Sequence, residues 1–418
     1  MPRIGEIHLA ALFLLTLAGC KSREAVTFTN WASSSPRSIA VDSNGASVKL
    51  IAAGNAVVQQ AKASAKPDAK GRLAAPITAR TTFFPKQKAA ARKVIGHSKS
   101  AALTAAKEIV IFSYKPTGLD MPPGYLSGLR LIGASLIWDI EDAIAAHDYD
   151  KAISACGSVT SLGYALMSGG AYEVSLGASM INRSRQKMVQ VLGMLNGIQL
   201  GKLGSALQKS SANRTPLQIP IENERDNMLL ALQQAQDAFE KNKLTGLQDR
   251  IGTSAKDTID YLQSMEKDQE KGKALFDWIG NDITARTNWY MKLVKNPRSA
   301  GLPPKKDDTK AKLMVYRYFG SSIENLVPML QMTVCRTELF ILECYLKQKL
   351  KMQKPLPSSL AAFSKSATLD PFTGEPFYYK AGTSSYVLYS AGEDGIDNGG
   401  ITDSNFRHPD LLLEKAHT

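Results

Sequence analysis

From about residue 101 to 296 the apolar positions recur with the period of an α-helix. Leu129, Ile132, Leu136, Ile140 and Ala143 share one face of a helix beginning near Leu126. His147-Asp148-Tyr149-Asp150 reads as a turn with an N-cap, leading into a second helix through Ala155 and Leu162 to Met167. A third helix is predicted from about Tyr172 to Asn196. Pro216 and Pro220 then break the pattern over Arg214 to Pro220. Met228, Leu232, Ala235 and Phe239 mark a fourth helix, and further helices are expected over about Ser254–Lys271 and Leu275–Lys295. Short turns join these segments, so the pattern predicts an irregular bundle of antiparallel helical hairpins.

The flanks differ. Residues 20–100 are poor in large apolar side chains and rich in Ala, Ser and Lys, with linker-like stretches at Ser33–Pro36 and Lys62–Pro76. They predict a largely disordered tether in which only Ser47–Gln60 has the pattern of a strand or short helix. Residues 297–320 contain Pro303-Pro304-Lys305-Lys306-Asp307-Asp308 and read as a linker. Ser321 and Glu324 then fit a capping box. The long helix that follows has an apolar stripe of Cys335, Leu339, Leu342, Leu346 and Leu350, a potential kink at Pro328 and lysines near its C-terminal end, before Pro355 and Pro357 stop it. Beyond it the period changes to two, with strands expected near Phe377–Lys380 and Ser385–Ser390 and an acidic glycine loop after them. The fold class is therefore mainly α: a helical-hairpin bundle over 101–296, then a small α+β domain (long helix plus antiparallel hairpin) over 321–418.

Composition adds charge and placement. The 418 residues carry 51 Lys+Arg against 38 Asp+Glu, a net charge of +13. The cations are spread along the chain without a recognisable nucleic-acid-binding module, so no nucleic acid is expected as partner. Anionic lipid headgroups or acidic wall polymers, met by weak salt-sensitive attraction, and simple solubility explain the charge equally well.

The first residues have the layout of an export signal. Arg3 precedes the apolar run Leu9–Leu17, which is shorter than the roughly twenty residues a bilayer span needs. Leu17-Ala18-Gly19-Cys20 follows and resembles the lipobox of bacterial lipoproteins. That resemblance implies cleavage of residues 1–19 and acylation of Cys20. Each buried CH₂ contributes about 0.8 kcal/mol, so several acyl chains hold a protein on a bilayer without a spanning helix. Removing Arg3 and Glu6 leaves the charge unchanged. Lys21 in place of Asp resembles an outer-membrane sorting pattern, which implies the periplasmic face of the outer membrane in a diderm source. Three cysteines remain. Cys335 and Cys344 are nine residues apart, which on a helix puts them on opposite faces about 13 Å apart along the axis, beyond the ~7 Å between Cα atoms that a disulfide spans. Small buried thiols are the expectation for all three.

The tail reads Asp370-Pro371-Phe372-Thr373-Gly374-Glu375-Pro376, then Tyr389-Ser390-Ala391-Gly392-Glu393-Asp394-Gly395. Together with the preceding helix, these motifs resemble the globular end of the major pseudopilins of type II secretion, over about residues 327–401. The resemblance implies a helix packed on a small antiparallel sheet and a calcium-binding loop. The chain departs from that family in its N-terminus, which has a lipobox where a pilin has its cleavage site and apolar stem. The helical region with such a tail also looks like poorly characterised exported bacterial families, for which no enzyme activity is implied. Ca²⁺ takes six to eight hard oxygens from a flexible loop. Asp394, Asp397 and Asp403 offer carboxylates, Ser390 its carbonyl, and Gly395, Gly399 and Gly400 permit the tight backbone. A solvated acidic turn is the plainer alternative.

Catalytic patterns are sparse. Gly96-His97-Ser98-Lys99-Ser100 imitates the Gly-x-Ser-x-Gly nucleophile elbow, which would make Ser98 the nucleophile of an envelope serine hydrolase, but Ser100 replaces the final glycine. Ser184/Lys187 and Ser264/Lys267 match Ser-x-x-Lys without its companion motifs, and Glu141-Asp142 reads as a solvated pair on a helix. The expected function is accordingly non-enzymatic: a lipid-anchored envelope protein that binds or scaffolds a protein partner, with the tail resemblance pointing to secretion machinery. The alternatives are the Ser98 hydrolase and a helical-repeat adaptor. The second is suggested by Asp148–Ile153, which resembles the texture of a tetratricopeptide hairpin without its fixed period.

Overall fold

The computed structural model describes residues 27, 29–31, 45–64, 85–109, 111–112, 115–119, 123–244, 256–305, 320, 322–363 and 368–400. Its helices are α1 (Ala46–Ala63), α2 (Pro85–Ile95), α3 (Ser98–Glu108), α4 (Tyr125–Ala145), α5 (Tyr149–Leu166), α6 (Ala171–Val191), α7 (Gly197–Ala212), α8 (Gln218–Glu240), α9 (Lys256–Gln263), α10 (Gln269–Lys295) and α11 (Ser322–Lys351). A hairpin of β1 (Tyr378–Ala381) and β2 (Tyr386–Tyr389) follows. The mainly α bundle with a small two-stranded α+β end is the class the sequence predicts. None of the described helices is long and apolar enough to cross a membrane.

The predicted stripe Leu129, Ile132, Leu136, Ile140 and Ala143 is buried, but so are Leu131, Ala134, Ile137 and Trp138 on the other faces of α4. A helix this largely apolar must be enclosed on most of its sides, and α4 is covered by α1, α5 and α6. Small residues permit the enclosure. A Cβ on Gly128 would lie 1.9 Å from the carbonyl oxygen of Gly54, so the backbones of α4 and α1 touch there. A Cβ on Gly177 of α6 would lie 2.3 Å from the Gly163 carbonyl oxygen of α5.

These crossings correct the tether. Residues 20–100 are not a disordered leader where they are described: α1 buries Ala46, Leu50, Ala53, Val57 and Ala61 in the same core as α4. Thr29 and Trp31 dock on α8 and α10, with Thr29 Oγ1 donating to Asp277 Oδ1 at 2.6 Å and the Trp31 ring against Gly280. The physical reason is that Ala- and Gly-rich helices bury little area per residue but reach very short interhelical distances. A lack of large apolar residues therefore does not mean a lack of packing.

Local chemistry sets the turns. His147 adopts φ 55° and Asp148 caps α5 by accepting the Lys151 N–H at 3.1 Å, as the sequence suggests. The third predicted helix is too long. It ends at Val191, and Asn196 instead caps α7, accepting the Gln199 N–H while the Gln199 side chain accepts from the Asn196 N–H. Pro216 does fall in the break after α7, but Pro220 does not end a helix; it sits in the first turn of α8, where its missing N–H has no intrahelical partner to lose. The segment Ser254–Lys271 divides, because Asp268 caps a new helix by accepting the Lys271 N–H.

The long helix α11 continues through Pro328 and overturns the boundary drawn before it. It is a spine shared by three apolar clusters. Ile323, Leu326, Val327, Leu330 and Val334 join α8, α9 and α10. Phe340, Ile341 and Cys344 join the core around α4. Cys335, Leu339, Leu342 and Leu346 meet Phe372, Phe377 and Leu388 of the tail. Cys335 and Cys344 thus enter different cores, and Cys156, Cys335 and Cys344 are free and buried. Leu350, the last predicted stripe position, is half-buried. Ser321 lies outside the described residues; its neighbour Ser322 donates to Glu224 Oε1 at 2.5 Å.

Candidate functional site

The sequence-predicted site residues lie in separate parts of the chain. Residues 1–26, with Cys20, lie outside the described residues. Ser98 opens α3 directly after α2 and the Gly96–His97 turn, so Val94 and Ile95 are helical and the strand that a nucleophile elbow needs does not precede it. Ser184 is buried and donates to the Ile181 carbonyl at 2.9 Å, and Ser264 to the Tyr261 carbonyl at 2.6 Å. Neither hydroxyl is directed at its Ser-x-x-Lys lysine; Lys187 pairs with Glu141.

Glu141 and Asp142 are not merely solvated. Glu141 holds Lys88 of α2 at 3.0 Å and Lys187 of α6 at 2.9 Å, and Asp142 holds Arg92 of α2 at 2.6 Å. Partial burial pushes the Glu141 carboxyl up, but the two lysines outweigh it and leave it below the usual carboxylate range. Lys88 and Arg92 also lie over the Trp138 ring, at 5.6 and 5.9 Å from its centroid. This cluster fastens α2 to α4.

The tail loop is built from the hairpin outward. Tyr378 pairs with Tyr389 and Lys380 with Val387. Asp370 is buried behind them: its Oδ1 accepts the Phe372 N–H at 2.9 Å and its Oδ2 the Ser390 hydroxyl at 2.7 Å. Burial pushes the Asp370 carboxyl up, with these hydrogen bonds opposing it. The Ser390 hydroxyl therefore joins the Asp-Pro turn to the start of the loop, since it also accepts the Gly392 N–H at 3.0 Å. Asp397 Oδ1 accepts the Tyr389 hydroxyl at 2.7 Å and the Gly399 N–H at 2.8 Å, which hold its carboxyl below the usual range. Asp394 Oδ1 accepts the Ile396 N–H at 3.0 Å. The structure thus brings Asp394 and Asp397 into one glycine-rich loop, and Asp403 lies outside the described residues. No group of three or more His, Cys, Asp or Glu poised for a metal occurs among the described residues. A calcium shell here would rest on Asp394, Asp397, loop carbonyls and Asp403.

Sequence reasoning missed a cavity of about 220 Å³ between α4 and α6. Arg130, Ser175, Ser179 and Arg183 line it together with apolar residues that include Ile137 and Met180. It is smaller than the ~300–1,000 Å³ typical of small-molecule pockets, so it suits one side chain or head group. Two arginines among otherwise apolar and hydroxyl-bearing lining residues give the cavity a positive character. The signal was present in part: positions 130, 133, 134 and 137 have helical spacing, as do 175, 179 and 183. Only the packing of α6 on α4 joins the two stripes.

A second unpredicted feature is a buried acidic node at the start of α6. Glu173 Oε1 accepts the Tyr125 hydroxyl at 2.6 Å and its Oε2 the Gly170 N–H at 3.1 Å. Glu224 of α8 accepts the Ala171 N–H at 3.0 Å and the Ser322 hydroxyl. Burial pushes Glu224 up to about 7, opposed by those hydrogen bonds and aided by the nearby Glu173. The node ties α4, α6, α8 and α11 together. Comparisons with protein families, curated proteins and solved structures return no match to this chain.

Proposed function

We propose that the protein is a lipoprotein of the bacterial cell envelope, anchored through acylated Cys20, that binds a protein partner through the Arg130–Arg183 cavity. The observation that carries the reading is the ordered series Arg3, apolar Leu9–Leu17 and Leu17-Ala18-Gly19-Cys20. The cavity supports a binding role because two arginines and two serines line it together with apolar side chains, which suits an acidic residue set in an apolar segment of a partner. The tail loop serves in this reading as a calcium site on Asp394, Asp397 and Asp403. The test is fractionation of cells that express the chain and its Cys20→Ala variant. Lipid anchoring requires acylation of Cys20 by mass spectrometry and loss of the mature, acylated form in the variant. An unacylated native chain refutes it.

A further inference from the structure

One end of the bundle combines exposed apolar side chains with unbalanced positive charge. Met194, Ile198 and Met352 are 65, 66 and 42% exposed. They are neighbours in space: Met352 Cγ lies 2.6 Å from where a Cβ on Gly197 would sit, and Lys351 Nζ donates to the Gly193 carbonyl at 3.1 Å. The α6–α7 turn and the end of α11 therefore form a single surface. Residues 344–359 contain Lys347, Lys349, Lys351 and Lys354 and no carboxylate. The acids nearby are engaged: Glu343 with Lys347, Asp150 with Lys202, and Asp148 as the cap of α5. Among the described residues no carboxylate pairs with Lys349, Lys351 or Lys354.

We infer that this end is a peripheral docking surface for an anionic lipid bilayer, which Met194, Ile198 and Met352 enter at headgroup depth while the α11 lysines meet the phosphates. Flexible methionines and an isoleucine at exposed tips, ringed by lysine, are what an interfacial contact with acidic lipid requires, because shallow apolar insertion and charge attraction are each weak alone. A protein partner with an acidic rim would use the same charges. The bilayer is favoured because Met194, Ile198 and Met352 are exposed at two adjacent helix ends beside Lys349, Lys351 and Lys354, which have no carboxylate partner among the described residues. The inference goes beyond lipid anchoring and does not require it.

The test uses the full chain with Cys20→Ala and Met352→Cys, labelled at position 352 with a polarity-sensitive fluorophore; the native Cys156, Cys335 and Cys344 are buried and do not compete for label. Vesicles of mixed phosphatidylcholine and phosphatidylglycerol should shift the emission to the blue. Pure phosphatidylcholine or raised salt should not. A label at Lys241→Cys, at the end of α8, should stay water-like with every vesicle. Each lysine near an anionic surface contributes a factor of about five, so Lys349→Gln with Lys354→Gln should weaken the vesicle response about thirty-fold with unchanged circular dichroism. A label at 352 that remains water-like on acidic vesicles overturns the inference. So does an equal shift at both positions, or a shift that grows with protein concentration in the absence of vesicles, which would assign the surface to a second copy of the chain.

Discussion

Replacing Glu224 with Gln should stabilise the protein at pH 8 and not at pH 4. Glu224 is 1% exposed, and burial moves its carboxyl from 4.5 to about 7. A folded-state value above the unfolded one means that the fold binds the proton more tightly. This group's stabilising contribution is therefore complete below about pH 4.5 and is lost as pH rises through about 7. The size follows from the same two values: the ionised fold is disfavoured by about 3 kcal/mol relative to the protonated one. A Gln at 224 is neutral throughout, its carbonyl can accept the Ala171 N–H, and its amide can donate to the Ser322 hydroxyl. Urea unfolding of both proteins across pH 4–8 checks the reasoning. The native chain should lose about 3 kcal/mol more than the variant over that range, and the variant should be the more stable above pH 7. Parallel pH profiles, or a variant that is weaker by the same amount at every pH, would refute the assignment of the proton to Glu224.

Gly128→Ala tests the packing of α1: the new Cβ would meet the Gly54 backbone oxygen, which cannot move aside alone, so a loss of about 3 kcal/mol or more is expected in urea unfolding, with faster proteolysis within α1. Unchanged stability would return α1 to the status of a tether. Calcium added to the full chain should raise its melting temperature, and Asp394→Asn with Asp397→Asn should remove the rise. Indifference to both calcium and chelator would remove the ion from the tail.

The elements were legible where one physical rule acted locally. Period 3.6 gave α4, α5 and α8, the Asp148 cap gave the start of α5, and the change to period two gave the hairpin to within two residues. Geometry on a single helix was enough to separate Cys335 from Cys344. The errors arose where two local signals competed. Pro220 punctuates a chain but also suits a first helical turn, and an Ala-rich stretch is both a linker composition and a close-packing surface.

The sequence by itself therefore determined the class of the fold, most helix positions and the hairpin, because each depends on residues within about two helical turns of one another. Tertiary structure decided everything that needs two distant segments to meet. The Gly54–Gly128 contact draws α1 into the core, α11 becomes the spine of three clusters, and Arg130 and Arg183 come to line one cavity. The charge state of Glu224 belongs with them, since it is its burial against α6 and α11 that opposes the ionisation an exposed glutamate would undergo.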